Sequence, residues 1–420
     1  MMASWAAEGF TEIDKLRAEL LNGVEVVTDR QRGQEEISHR EILARIENII
    51  LGIVTSLSKE EAPFLALPNR SSWANVSFHS AVGLQMTSGS SVSTIRSDCP
   101  SSVTKFAQIL KILSVIYKLV QSNSYATKRF TNCFHRDIYY NNTQLFVSQT
   151  TVDSIVDDIS CMLKVPRRSL HVLATSKGLI AGDLRYMEED GTRIDCHSSS
   201  AAVAVSSNIA GIRNIVSSAK FVLIVEKDAT FQRLLDDDFC AKLRPCIIIT
   251  GKGVPDVNSR LMVRKLWDTL HIPTFALVDA DPHGIEIMCI YKYGSVVVSL
   301  YVTGVCVFVF VCAWVFPQAM SFEAHSLTVP SVMWLGLLPS DLQRLQVPED
   351  ALIPLTERDE SKLSSLLKRP YLSSQPDWQR EMELMQQTKV KAEIQSLATI
   401  APDFLTSIYL PNKLRYGGWI

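Results

Sequence analysis

The sequence has little of what marks a zinc protein, an exported protein or a nucleotide hydrolase. Its nine cysteines stand singly, with no C-x-x-C pair and no Cys/His spacing typical of a zinc site. The first residues, MMASWAAEGFTEIDKL, lack a basic stretch followed by an apolar one, so we expect no signal peptide and a reducing compartment. The stretch TGKGVPD departs from the G-x-x-x-x-G-K-S/T pattern, which argues against a P-loop ATPase.

The chain also lacks an excess of charge of either sign. It carries 42 lysine and arginine residues against 44 aspartate and glutamate residues, a formal net charge of −2. This balance indicates no polybasic tail, and it is compatible with a local basic groove. At 420 residues, 47% of them hydrophobic, the chain is long enough for two or three domains with real cores.

The first part of the chain predicts a tail and then a helix. Residues 1–36 are polar and irregular, and we expect a loose tail there. Ser38 and Glu41 then form a capping-box pattern that begins an amphipathic helix. We predict that residues 37–58 are a helix that docks a partner. The alternative, that its apolar stripe packs on its own domain, stays open.

Residues 100–195 predict a winged helix-turn-helix domain. Two apolar helical patterns, VTKFAQILKILSVIYKLVQSN and QTTVDSIVDDISCMLKV, precede two β-like runs, SLHVLA and LIAGDLRYM, which the turn TSKG joins as a hairpin. Helix, turn, helix and hairpin in this order are typical of a domain that docks on duplex DNA. Four basic residues are expected to face phosphates: Lys164, Arg167, Arg168 and, at the hairpin tip, Lys177.

Residues 209–420 predict an α/β domain with a metal site. Uninterrupted apolar strands alternate with helices, which indicates a parallel sheet covered on both faces. Glu226 ends one strand, and Asp279 and Asp281 end another, at the edge where open α/β sheets hold ligands. Three carboxylates without Cys or His are suited to Mg²⁺ or Mn²⁺. The fold class is therefore α/β, or α+β overall.

A metal beside a DNA-docking module points to phosphodiester chemistry, and the nucleophile must then be found. No motif sets up a Ser, Cys or His for attack. The segment RDIYYNN offers the phenols of Tyr139 and Tyr140. A phenol is a weak nucleophile unless a nearby cation or base favours the phenolate, and Arg136 could do this or stabilise charge on the phosphate.

Several motifs together resemble one known family. These are RDIYY, SKGLIAG, VEKDATFQRLL, TGKGVPD, LVDADPHGIEIMCIYKYGS and YLPNKLRYGGWI. From about residue 38 to residue 420 the chain resembles the eukaryotic meiotic double-strand-break proteins, which are related to the A subunit of type IIB topoisomerase VI. The resemblance implies a winged-helix domain that bears the tyrosine, followed by a Toprim domain that bears the metal site.

The resemblance also implies roles for individual residues. Tyr140 would attack a DNA phosphate and form a 5′-phosphotyrosyl link, with Arg136 assisting at the phosphate. Glu226, Asp279 and Asp281 would bind Mg²⁺, and Glu226 is a candidate for handling the leaving-group proton. The implied partners are double-stranded DNA, a second copy of the chain, other meiotic break-forming proteins, and a topoisomerase VI B-like subunit that contacts the 38–57 helix. The implied location is the nucleus, on chromosomes.

The chain departs from the family pattern at two insertions. FTNCFHR lengthens the connection before the tyrosines, and residues 296–319 follow YKYGS where the family proceeds almost at once to SFEA. Residues 296–316 have no charge and are long enough to span a bilayer. A span there would force the two halves of a soluble sheet to opposite sides of a membrane, so we expect none. A translated intron is the alternative origin, and a retained segment would expose an aggregation-prone surface.

Other function classes remain open at this stage. The chain could be an inactive DNA-binding or assembly subunit, or a mis-spliced product, that keeps the fold without the chemistry. It could be a membrane protein, which predicts fractionation with lipid. It could also be a Toprim nuclease that uses water and leaves no protein on the DNA.

Overall fold

The computed structural model describes residues 10–24, 37–69, 76–79, 83–86, 91–124, 126–127, 144–173, 176–197, 202–243, 245–294 and 327–420. Its α-helices are α1 (Thr11–Val24), α2 (His39–Ser58), α3 (Val103–Gln121), α4 (Gln149–Leu163), α5 (Asp228–Asp236), α6 (Phe239–Lys242), α7 (Val257–Leu270), α8 (Pro282–Tyr293), α9 (Pro339–Arg344), α10 (Glu357–Leu367), α11 (Pro376–Thr388) and α12 (Leu410–Tyr416).

The β-strands are β1 (Phe64–Pro68), β2 (Val76–His79), β3 (Gly83–Met86), β4 (Val92–Arg96), β5 (Ala126–Thr127), β6 (Val172–Leu173), β7 (Leu179–Gly182), β8 (Arg185–Met187), β9 (Arg193–Asp195), β10 (Val203–Ala204), β11 (Arg213–Val216), β12 (Phe221–Val225), β13 (Cys246–Thr250), β14 (Thr274–Leu277), β15 (Val332–Gly336), β16 (Ile353–Pro354) and β17 (Val390–Lys391). The described residues contain two separate apolar cores.

The smaller core is built mainly from three helices. Apolar faces of α2, α3 and α4 meet there, together with Leu65 and Leu67 of β1 and with Phe146. The start of α2 follows the prediction, since Ser38 Oγ accepts a hydrogen bond of 3.2 Å from the Glu41 amide. α3 and α4 also lie where helical periodicity placed them. The winged-helix domain around these helices stays a prediction.

The larger core surrounds a six-stranded sheet of order β10-β7-β13-β12-β14-β15. β12 pairs in parallel with both β13 and β14, and β14 pairs in parallel with β15. Every residue of β12, β13 and β14 is buried, as expected for central strands covered by helices on both faces. The predicted α/β architecture with a parallel sheet is confirmed.

The hairpin predicted across the turn TSKG is wrong. β7 pairs antiparallel with β13, with Ile180 opposite Ile249, and β6 pairs in parallel with β5. Ile180 and Leu184 are fully buried in the larger core. β7 lies between β13 and β10, so it is hydrogen-bonded on both sides, whereas a two-stranded hairpin would pair it on one side only.

The loose tail predicted for residues 1–36 also needs correction. α1 is a helix whose Ile13 is fully buried and whose Leu16 is 8% exposed, and both pack in the larger core. Its Arg17 donates hydrogen bonds to the carbonyls of His271 and Leu270 at the end of α7, where a helix has unpaired acceptors. Ile13 and Leu16 are three positions apart and therefore lie on one face of the helix. The other residues of α1 are mostly polar, so this short pattern did not predict a helix.

Several sequence features lie outside the described residues. These are Arg136, Tyr139 and Tyr140, the inserted segment FTNCFHR before them, and the apolar insertion 296–319. Within the part of the chain that the structure describes, no helix is both long and apolar enough to cross a membrane.

Candidate functional site

The site lies at the edge of the sheet where β12 and β14 end. These neighbouring parallel strands end together, with Val225 opposite Leu277, so the residues that follow them meet. The Glu226 amide donates to the Leu277 carbonyl over 3.0 Å, which continues the ladder by one bond. The Asp279 amide in turn donates to Glu226 Oε2 over 2.8 Å. The sheet thereby places Glu226 and Asp279 side by side, as the sequence predicted for the strand ends.

Asp281 begins the helix that covers this edge. It is the N-cap of α8, and its Oδ1 accepts a hydrogen bond of 2.5 Å from the Gly284 amide. Gly284 lies where no side chain fits: a Cβ there would stand 2.7 Å from both the Asp279 carbonyl oxygen and Glu226 Oε2. The glycine lets the first turn of α8 pack directly against the two carboxylate residues.

Asp279 is held by two donors from other parts of the chain. Its Oδ1 accepts from the Ile394 amide over 2.9 Å, and its Oδ2 lies 2.7 Å from Lys227 Nζ. The same ammonium lies 3.0 Å from Glu393 Oε1. Reciprocal amide–carbonyl bonds between Ala280 and Ala392 fix the 392–394 segment against the site. The segment from Ala392 to Ile394 is therefore part of the site, although it is distant from it in sequence.

Burial dominates the electrostatics of the cluster. Glu226 is 7% exposed, and burial, reinforced by the negative charges of Asp279 and Asp281, raises its pKa to about 8. Burial also raises the pKa of Asp279, against the opposing effect of its hydrogen bond from Lys227. Burial opposes the charge on Lys227, but the hydrogen bonds and charges of Asp279 and Glu393 outweigh it and raise the lysine pKa. The cluster is short of positive charge.

The donor set fits a hard divalent cation by its chemistry. Carboxylate oxygens are the ligands Mg²⁺ prefers, and the cluster has three carboxylates with too little positive charge beside them. Among the described residues, however, no group of three or more His, Cys, Asp and Glu side chains is arranged to hold a metal. In this arrangement Asp279 accepts from Lys227 and from the Ile394 amide, and Asp281 accepts from the Gly284 amide.

The predicted DNA-contacting residues separate into two groups. Lys164 and Arg168 are exposed at the end of α4 and just beyond it, where they could reach a phosphate. Arg167 is 4% exposed, and its guanidinium lies 2.5 Å from the Asp157 carboxylate and 3.8 Å from that of Asp153. The expectation that Arg167 faces phosphates is therefore wrong: it is an internal ion-pair residue of the smaller core.

Lys177 is not at a hairpin tip, because that hairpin does not form. Its amide donates to Asp256 Oδ2 over 3.0 Å, and its Nζ donates to the Lys252 carbonyl over 3.1 Å. Lys252 lies in the turn after β13, and the next residue, Gly253, donates its amide to the Glu226 carbonyl over 2.8 Å. Lys177 therefore lies at the same edge of the sheet as the carboxylates. The predicted contact of Lys177 with DNA would then be at this edge and not at a hairpin.

A second surface is an apolar groove of about 690 Å³ between α2 and α3. Ile42 and Ile46, in the first half of α2, pack into the smaller core. In the second half, Leu51, Val54 and Leu57 are 63%, 54% and 58% exposed. The first half of the helix therefore packs on its own domain, and docking of a partner by the exposed second half stays a prediction.

Sequence reasoning missed two charged residues of the site, Lys227 and Glu393. Lys227 directly follows Glu226, so its neighbourhood in VEKD was a usable signal. Glu393 has no local motif, and only the folded chain brings it to the carboxylates.

Comparisons with known proteins match two successive parts of the chain. A family model for the Toprim domain of the topoisomerase 6 A subunit and Spo11 matches residues 221–308 and 304–414, and one described as "Type IIB DNA topoisomerase" matches residues 104–172. The chain is 62% identical over 388 residues to "Meiotic recombination protein SPO11" of Homo sapiens, covering 92% of this chain and 91% of that protein. It is 57% identical over 416 residues to the Mus musculus protein of the same name, covering 99% and 98%. It is 37% identical over 321 residues to the A subunit of DNA topoisomerase 6 from Arabidopsis thaliana, covering 76% and 68%.

Proposed function

Because the chain belongs to the family of Spo11 and the topoisomerase VI A subunit, we propose that it makes the DNA double-strand breaks that initiate meiotic recombination. The observation that carries this is the similarity to a meiotic recombination protein over 92% of the chain at 62% identity. The location that follows from this role is the nucleus, on chromosomes.

The proposed reaction is a transesterification. Tyr140 Oη gives up its proton to water and attacks the phosphorus of a DNA phosphodiester. A new phosphorus–oxygen bond forms to the tyrosine, the bond to the 3′ oxygen breaks, and that oxygen takes up a proton. The product is a 5′-phosphotyrosyl link and a free 3′-OH, so no bond energy is lost to water. The assignment of Tyr140, and of Arg136 at the phosphate, rests on the RDIYY motif.

The carboxylate cluster would act on the other side of the reacting phosphate. We assign Glu226, Asp279 and Asp281 as the residues that hold Mg²⁺, which when bound neutralises phosphate charge and stabilises the leaving oxygen. We also propose Glu226 as the group that hands a proton to the 3′ oxygen, because burial and the neighbouring carboxylates raise its pKa while no metal is bound.

The partners proposed are double-stranded DNA, a second copy of the chain, other meiotic break-forming proteins and a topoisomerase VI B-like subunit. DNA would lie along residues 100–195, with Lys164 and Arg168 on its phosphates. The B-like subunit would place an apolar surface in the groove between α2 and α3, where Leu51 and Val54 are 63% and 54% exposed.

Covalent DNA capture tests the chemistry. The purified full chain, with its B-like partner and Mg²⁺, is incubated with duplex DNA, denatured, and assayed for protein attached to 5′ ends. We expect the adduct to disappear in Tyr140→Phe and to persist in Tyr139→Phe. Breaks with bare ends, or an adduct that survives Tyr140→Phe, would rule out the tyrosine mechanism.

A matched pair of valines tests the groove. Val54→Glu, at a 54% exposed position in the groove, should abolish co-purification with the B-like subunit, because a carboxylate would be desolvated at an apolar contact. Val216→Glu, at a 63% exposed position on β11, should leave it unchanged. Equal effects of the two changes would place the partner elsewhere.

The second candidate function is an inactive DNA-binding or assembly subunit. It is favoured by one observation: the Toprim family model matches in two stretches, 221–308 and 304–414, which meet inside the insertion 296–319. This candidate predicts DNA binding with no Tyr140-dependent adduct.

A further inference from the structure

The ammonium of Lys227 stands where a cation of the site would stand. Lys227 Nζ lies 2.7 Å from Asp279 Oδ2 and 3.0 Å from Glu393 Oε1, so one positive charge bridges two carboxylates. The Asp279 side chain is 2% exposed, whereas that of Lys227 is 30% exposed and that of Glu393 is 53% exposed. The ammonium thus lies between a buried carboxylate and one at the surface.

A metal ion at the proposed site needs a carboxylate oxygen of Asp279, and both of these oxygens already accept hydrogen bonds from the protein. Oδ1 accepts from the backbone amide of Ile394, which the pairing of Ala280 with Ala392 holds in place. Oδ2 accepts from Lys227, a charge on a flexible four-carbon stem. Of the two donors, Lys227 is the one that can move away without breaking backbone structure.

From this geometry we propose that Lys227 is a built-in counter-ion that competes with the divalent metal for Asp279. The inference rests on the proposed metal site and adds a residue that opposes metal binding there. While no metal is bound, the ammonium compensates the charge of the buried carboxylate. When a metal arrives, the ammonium leaves Asp279 and stays paired with Glu393, whose exposed carboxylate offers a second position within reach. The site then binds metal more weakly than its three carboxylates alone would allow.

The test is the affinity of the metal-free full chain for Mn²⁺, followed by the electron paramagnetic resonance signal of the free ion. Lys227→Met removes the charge and keeps the length of the side chain. We expect it to bind Mn²⁺ on the order of tenfold more tightly than the natural chain, a factor equivalent to about 1.4 kcal/mol. Lys227→Arg retains a cation and should bind as the natural chain does.

Lys252→Met is the matched control. Its ammonium lies 3.1 Å from Asp228 near the same edge, and its side chain is 34% exposed, close to the value for Lys227. Removing it lowers the net charge equally without touching the carboxylate cluster, so the affinity should change by less than about twofold. Equal gains in both lysine variants would mean that bulk charge, and not competition at Asp279, sets the affinity.

Asp281→Asn separates this inference from the proposed metal site. Asparagine is as good an N-cap as aspartate, so α8 should begin unchanged while one carboxylate is lost. If Asp281→Asn leaves Mn²⁺ binding unaffected, the metal site itself is wrongly placed. If Asp281→Asn weakens binding but Lys227→Met does not tighten it, the metal site stands and the counter-ion role of Lys227 is wrong. Circular dichroism of each variant checks that the fold is retained.

Discussion

Gly284 makes the tightest packing demand at the site, and its replacement by alanine should damage both stability and metal binding. A Cβ there would lie 2.7 Å from the Asp279 carbonyl oxygen and from Glu226 Oε2, and 3.0 Å from the Asp279 amide nitrogen. Ordinary contacts of a Cβ are at 3.4–4 Å, so atoms must move by more than half an ångström. The Asp279 amide is hydrogen-bonded to Glu226 Oε2, so the contacted groups cannot part without losing that bond.

The expected net cost follows from two opposing effects. Overpacking in a buried site costs about 1–3 kcal/mol, and backbone atoms on one side place this case in the upper half of that range. Alanine gains about 0.5–1 kcal/mol over glycine within a helix. The free energy of unfolding of the larger core should therefore fall by about 1–2.5 kcal/mol, and Mn²⁺ affinity should fall with it because Glu226 is displaced.

Urea unfolding followed by tryptophan fluorescence measures the effect, since Trp267, Trp334 and Trp378 all lie in the larger core. Gly52→Ala is the control, because Gly52 lies within α2 and a Cβ there meets nothing within 4 Å. It should leave the unfolding of the larger core unchanged, because α2 packs in the smaller core and any gain in helix propensity is made there. A Gly284→Ala chain as stable as the natural one, with Mn²⁺ binding intact, would refute the close packing described for this edge.

Two further outcomes follow from charged residues. Arg167→Ala leaves the 1% exposed side chain of Asp157 without its closest cation and should destabilise the smaller core by about 3–5 kcal/mol, seen as faster hydrogen exchange in α4. Arg168→Ala, at an exposed position, should change stability by less than about 0.5 kcal/mol while lowering the salt dependence of DNA affinity by about one unit of slope. In the metal-free folded chain the pKa of Glu226 is about 8, against an ordinary value of 4.5. The stability that the protonated side chain contributes is therefore fully present below pH 4.5 and is lost as the pH rises to about 8. The metal-free Glu226→Gln chain lacks this loss, so its unfolding midpoint should gain on that of the natural chain from about pH 5 to about pH 8, and a constant difference would contradict the raised pKa.

The central sheet and its acidic edge were predictable because their signals are local. β12, β13 and β14 are short uninterrupted apolar runs between amphipathic helices, and polar residues follow where the strands end. Parallel strand ends share one edge, so the meeting of Glu226 with Asp279 follows from strand order alone.

What the sequence could not supply was the choice among distant partners. The run at β7 suits a hairpin or a larger sheet equally, and its place between β10 and β13 depends on strands that lie further along the chain. α1 has a narrow apolar stripe, and the helix is stabilised by packing that stripe into the larger core and by the bond from Arg17 to the end of α7. Neither contact can be read from the local sequence. Glu393 carries no motif and reaches Lys227 only through the pairing of Ala392 with Ala280.

The pairing of Ala280 with Ala392, and the bond from the Ile394 amide to Asp279, also bear on protein synthesis. A ribosome must have translated up to residue 394 of 420 before the last backbone contact of the acidic edge can form. A nascent or prematurely terminated chain that ends before Ala392 would keep Glu226, Asp279 and Asp281 but lack the strap that orients Asp279. In such a chain Asp279 Oδ1 would have lost the backbone amide from which it accepts, and Lys227 would be the remaining donor to this carboxylate.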